Sequence, residues 1–95
     1  MINLKGKYST REVWYNGQLI TPIYSQEIIN HSPDGFNWGY AGSGPAQLSL
    51  AIAYIIFNDR QLAMLYYGRL KNDIISKLPQ DDFDINFDLN FNFVV

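Results

Sequence analysis

Asp34-Gly35-Phe36-Asn37-Trp38-Gly39-Tyr40-Ala41-Gly42-Ser43-Gly44-Pro45-Ala46-Gln47 runs directly into Leu48 to Phe57, and the change of character along this stretch decides the fold. Its first half combines glycines with three aromatics and a single formal charge, Asp34. From Ser43 onward a helix start is written: Gly44 can act as N-cap, and Pro45 suits the first helical position, where its missing N–H costs nothing. Gln47 can reach back in the manner of a capping box. The spacing predicts a helix from Pro45, with a body over Ala46 to Phe57 that is apolar on nearly every face apart from Gln47, Ser49 and the Tyr54 hydroxyl. A helix apolar all round is one buried between other elements.

Downstream, Asn58-Asp59 stops this helix and caps a second. There Leu62, Leu65, Tyr66, Leu70, Ile74 and Leu78 recur at spacings of three and four, while Arg60, Arg69, Lys71, Asp73 and Lys77 take the other faces, so an amphipathic surface helix is expected. After Pro79, the apolar residues Phe83, Ile85, Phe87, Leu89, Phe91 and Phe93 alternate with Asp or Asn, a period of two that reads as a half-buried strand over Phe83 to Val95. Upstream, Lys7–Tyr15 and Gln18–Ser25 are rich in β-branched and aromatic residues and flank Asn16-Gly17, a pair that readily takes positive φ at both positions of a two-residue turn. A β-hairpin is expected, followed by a type I turn at Ser32-Pro33-Asp34-Gly35. These elements predict an α+β fold, an antiparallel β-sheet of N-terminal hairpin plus C-terminal strand packed on two α-helices, with residues 1–95 forming a single domain.

Composition excludes several classes. Seven Lys and Arg against nine Asp and Glu leave a net charge of −2, which supplies no basic field for duplex nucleic acid. The absence of cysteine removes disulfides, thiolate zinc sites and a Cys nucleophile together, and fits a reducing compartment. Met1 to Lys7 lacks a signal-peptide pattern, and the longest apolar run, around Leu48 to Phe57, is too short to span a bilayer, so a cytoplasmic protein without membrane contact is expected.

Two readings of Asp34 to Gln47 stay open. In the first, Gly39, Gly42 and Gly44 let successive amides converge beside the positive end of a helix, and Trp38 and Tyr40 offer a flat π surface to a base or a side chain. The candidate binding residues are then Asp34, Phe36, Trp38, Tyr40, Gly42, Ser43, Gly44 and Gln47. In the second, the glycines let the chain cross closely over the buried helix, and Phe36, Trp38 and Tyr40 fill the core. No Lys or Arg stands between Ile28 and Asn58, and neither a Walker lysine nor a complete G-x-G-x-x-G occurs, which speaks against nucleotide hydrolysis. Ser43, His31 and Asp34 are the residue types of a hydrolase, but the G-x-S-x-G elbow is missing. One His beside one Asp makes no metal site, and no cofactor is expected. The acidic cluster Asp81, Asp82, Asp84 and Asp88 reads as a solvated face or strand gatekeeper, with mimicry of nucleic-acid phosphates as the sharper alternative.

The run His31-Ser32-Pro33-Asp34-Gly35-Phe36-Asn37-Trp38-Gly39-Tyr40-Ala41-Gly42-Ser43-Gly44-Pro45-Ala46-Gln47-Leu48-Ser49-Leu50-Ala51 resembles a family of small bacterial, archaeal and phage proteins classed as a domain of unknown function, whose members carry H-S-P-D-G-F-x-W-G-Y-x-G-S-G-P-A-Q-L-A-L-A. Fainter similarity reaches upstream to Tyr15–Leu19 and downstream to Lys77-Leu78-Pro79. Related chains finish in a short helix with a Trp, where this one alternates like a strand. The resemblance implies a shared fold, no established activity, and an accessory or counter-defence setting in phages and mobile elements. The function expected is a small non-enzymatic binding protein, an inhibitor in host-defence conflict, that uses the Gly/aromatic loop to hold a protein partner or a small nucleotide-like ligand. The alternative is a small enzyme or nucleotide-ligand-binding protein working through Ser43 at the helix N-terminus. A free edge on the terminal strand would also offer backbone groups to a second copy.

Overall fold

The computed structural model of the protein describes residues 1–88. Its elements are β1 (Ile2–Lys7), β2 (Glu12–Tyr15), β3 (Gln18–Ile20), α1 (Ile23–Ile28), α2 (Ser43–Phe57), α3 (Arg60–Asp73), a 3-10 turn (Ile75–Lys77) and β4 (Phe83–Phe87). The four strands form one sheet in the order β3-β2-β1-β4, every neighbouring pair antiparallel. The fold is α+β, as the patterning predicts. Among the described residues, no helix is long and apolar enough to cross a membrane.

The hairpin turns where Asn16-Gly17 places it, between β2 and β3, with φ of 49° and 81° at the two positions and Tyr15 opposite Gln18. Its arms differ from the expectation. The segment Lys7–Tyr15 is not one strand: Lys7 ends β1, Arg11 takes φ 61° in a reverse turn, and the new strand starts at Glu12. The second arm stops at Ile20, because Pro22 cannot donate to a ladder and instead opens α1, so Ile23–Ser25 are helical. The fold therefore has three α-helices, where two were expected.

The inner face of the sheet carries Leu4, Val13, Ile20, Phe83 and Ile85, and these meet α2. Gly44 to Ala53 of α2 are all buried, between the sheet and the face of α3 that presents Ala63 and Leu70. Burying one Leu or Ile side chain contributes about 1.5–3 kcal/mol, so Leu48, Leu50 and Ile52 make α2 the axis of the core. Asn58 ends α2 in the left-handed region and donates its N–H to the Tyr54 carbonyl at 2.8 Å, and the Asp59 carboxylate then accepts from the Leu62 N–H at 3.0 Å. The stop-and-cap reading of this pair holds. The stripe on α3 holds only in part: Leu70 is buried, but Leu65 is 67% exposed and its place on the inner face is taken by Ala63. β4 is an outer strand of the sheet, and the expected continuation over Leu89–Val95 lies outside the described residues.

Candidate functional site

The loop before α2 is tied into the interior. Trp38 has no exposed surface; its indole N–H donates to the Asp81 carbonyl at 2.9 Å, and its ring meets Phe83 edge-on at 4.9 Å and Tyr8 at 5.8 Å between centroids. Phe36 is buried as well. Gly39 sits at φ 84°, and a Cβ there would lie 2.8 Å from the Leu78 carbonyl oxygen, so the chain passes at a distance that only glycine permits. The Gly39 N–H is already engaged, donating to Ile75 O at 3.0 Å. At Gly42 and Gly44 the space of a side chain is occupied by the Tyr40 ring and by Asn37. Gly42, not Gly44, is the N-cap, and α2 begins at Ser43.

Gln47 does not cap the helix. It is fully buried, accepting from the Ser32 N–H at 3.0 Å and donating to Ser25 Oγ at 2.8 Å and Ile29 O at 3.2 Å, so it stitches α2 to α1 and to the turn that follows it. Arg11, distant in sequence, brings a cation to this region: its guanidinium lies 3.6 Å from the Tyr8 ring centroid, and its Nε donates to Asn37 Oδ1 at 3.2 Å. No local pattern could reveal that, because Arg11 arrives from the β1–β2 turn. Of the eight candidate binding residues, Phe36, Trp38, Gly44 and Gln47 are thus interior; Asp34, Tyr40 and Ser43 reach solvent, with Gly42 half-buried. The π surface expected of Trp38 and Tyr40 together reduces to Tyr40, which is 40% exposed.

The residue types of a hydrolase are not assembled. Asp34 lies in its turn, closed by a Gly35 N–H to Ser32 O bond of 3.2 Å. Ser43 opens α2, and the His31 ring lies against Tyr67 of α3 at 5.4 Å. Among the described residues, no hydrogen bond joins any two of these three side chains, and the buried His31 Nε2 has no partner. Nor does any group of three or more His, Cys, Asp and Glu among the described residues have the geometry to hold a metal ion.

A shallow concavity of about 260 Å³ reaches the loop at Asp34 and Phe36 but has Arg11 and Glu12 in its lining; an uncharged one lies at the other end of α2. Between β3, α1 and the C-terminal half of α2 opens a cleft of about 360 Å³, lined by Tyr15, Gln18, Leu19, Ile20, Thr21, Tyr24, Ser25, Ala51, Tyr54, Ile55 and Asn58. No residue of that lining is formally charged. Leu19, Tyr24 and Ile55 are large apolar residues left exposed around it, Tyr24 to 67%. Burial raises the Tyr15 phenol above its ordinary value, so this hydroxyl stays protonated at neutral pH. Another concavity of about 390 Å³ surrounds Trp14 on the outer sheet face, but it is a charged one, with Lys5, Lys7, Asp82 and Asp84 at its edges.

A family model for a family of unknown function, DUF6166, matches residues 4–89. The chain belongs to that family. No curated protein and no solved structure matches it. In this DUF6166 member the run of sequence that carries the family resemblance is folded mostly inward, whereas the cleft is built from residues outside it, Ala51 excepted. The cleft had no motif to announce it: hairpin, short helix and helix end each contribute a few side chains of ordinary type.

Proposed function

We propose that this chain is a non-enzymatic binding protein whose ligand site is the cleft between β3, α1 and the end of α2. The observation that carries the reading is the union of an uncharged concave surface with exposed Leu19, Tyr24 and Ile55, since apolar pockets furnished with a few polar groups are where ligands and partners are held. The contact zone therefore moves from the Gly/aromatic loop to the other end of the same helix. An inhibitor role in phage or mobile-element biology, as the family resemblance implies, needs no catalytic set, because a binding protein acts by holding its ligand. The test is binding of an environment-sensitive apolar dye to the full chain. Fluorescence enhancement is expected and should vanish in Ile55→Arg while far-UV circular dichroism stays unchanged; equal enhancement in wild type and variant refutes the site.

A second reading rests on the position of β4 at the sheet edge. An outer strand offers unpaired backbone groups to a second copy, and Asp84 and Asn86 on its solvent face oppose such pairing. Light scattering across micromolar concentrations tests self-association: a mass that stays monomeric rejects it.

A further inference from the structure

Resting on the cleft as the binding site, we infer that its occupant is a neutral, ring-bearing small molecule with a hydroxyl or amide at its edge. Charge sets the first limit. With no Lys, Arg, Asp, Glu or His in the lining, nothing would offset the desolvation of an ionised ligand, and an isolated charge moved into such surroundings neutralises or stays out. Shape sets the second. Leu19, Ile20, Ala51 and Ile55 give aliphatic walls, and Tyr15, Tyr24 and Tyr54 set aromatic rings among them, which suits a flat apolar body.

Polar groups set the third limit. Among the described residues no hydrogen bond engages the side-chain hydroxyls of Tyr15, Tyr24 or Tyr54, so three phenols at one cleft remain open to an outside donor or acceptor. Ser25, by contrast, is spent: its hydroxyl donates to Pro22 O at 2.8 Å and accepts from Gln47. An apolar floor with a few unengaged polar groups is the composition of a small-molecule site, and about 360 Å³ lies within the usual range for one, ~300–1,000 Å³. A protein partner would meet the exposed rim with a broad apolar surface and would leave these hydroxyls idle.

The experiment uses the full chain and four probes: naphthol, naphthalene, naphthoate and naphthylmethylammonium, followed by amide NMR shifts. Naphthol is expected to move the amides of Leu19, Ile20, Thr21, Tyr24 and Ile55, and both charged analogues to bind at least about tenfold more weakly. Ile55→Arg should abolish the shifts. Tyr15→Phe with Tyr54→Phe should weaken naphthol severalfold and leave naphthalene unchanged, a pattern that mere loss of packing would not give. Equal binding of the charged analogues overturns the ligand class and leaves the cleft standing as a site. Absence of cleft shifts with all four probes, or shifts confined to another surface, overturns both. If a peptide bearing apolar side chains occupies the cleft where naphthol does not, the occupant is a protein anchor and the inference fails.

Discussion

The two ends of α2 are built on opposite principles. At its N-terminus, Trp38, Phe36 and Gln47 are sealed, and glycines hold the chain at distances no other residue permits. At its C-terminus, Ile55, Tyr54 and Asn58 face a cleft whose tyrosine hydroxyls are open and whose rim is apolar. The distinctive sequence belongs to the closed end and the usable surface to the open end. A motif crowded with glycine and aromatics is what a close crossing over a buried helix demands. A binding cleft asks only that a few ordinary side chains be carried to one place by the fold.

The sharpest way to break this comparison is at Trp38. Trp38→Ala removes a fully buried ring from between Tyr8 and Phe83 and strands the Asp81 carbonyl, and the loss expected is about 3–5 kcal/mol in urea unfolding. Because a small domain holds only about 5–15 kcal/mol in all, a loss of that size should shift the urea midpoint far below that of the wild type. A loss under about 1 kcal/mol would show the ring to be dispensable to the interior and return the loop to candidacy as a surface. Next in size is Gly39→Ala. A Cβ there meets the Leu78 carbonyl oxygen at 2.8 Å and the Gln80 nitrogen at 3.1 Å, both backbone, and φ of 84° adds strain, so a cost of about 2–3 kcal/mol is expected in the same measurement.

Gln47 gives a third test, with a sign. In Gln47→Glu the neutral acid keeps one O–H to donate toward Ser25 Oγ or Ile29 O, whereas the ionised form can donate to neither and sets a carboxylate against the Ile29 carbonyl in a buried place. The neutral acid is favoured there, so the folded pKa lies above the unfolded value. Stability is then retained below the unfolded carboxyl range and lost as pH rises through the folded value, with a deficit of about 2–3 kcal/mol at neutral pH. A deficit independent of pH would mean that the side chain is not held in this network.

How far the sequence could be read follows from how local each signal is. The Asn16-Gly17 turn, the α2 body, the Asn58-Asp59 junction and the first part of the terminal alternation, over Phe83–Phe87, are written within a few residues of themselves, and each is in place. β1 escapes notice because Gly6, which shares its inner face with Leu4, contributes no side chain to the alternation; Phe83 from the other end of the chain fills that space. α1 escapes because Ile23-Tyr24-Ser25 has strand-like composition, and only Pro22 marks a helix start. Gly44 reads as the N-cap, while the extended residue before the helix is Gly42 and Gly44 is already helical and packed against Asn37. The cleft was not legible at all: Leu19, Tyr24 and Ile55 stand in three different elements and acquire meaning only together.

At the open end the expected effects on stability are small, which is itself the contrast. Ile55→Arg, at a position 42% exposed, should change unfolding free energy by no more than about 0.5 kcal/mol while removing apolar-probe binding. A large destabilisation would make Ile55 part of the core and erase the distinction between the two ends of α2.

The finest test is the titration of Tyr15. Its phenol stands at the inner wall of the cleft, and burial alone raises its pKa above the ordinary 10.0, because the phenolate would lose water that no cation in the lining replaces. The neutral form is the one the folded state favours, so its contribution to stability is complete below the ordinary tyrosine range and fades as pH rises through the raised value. The difference in alkaline ultraviolet absorbance between wild type and Tyr15→Phe isolates this group, and it should be centred above pH 10.0. Filling the cleft with a neutral ring compound should carry that midpoint further upward, since the occupant displaces the remaining water. A midpoint at or below the ordinary value would mean that bulk solvent reaches the phenol freely, and a cleft so wet could not select against charge.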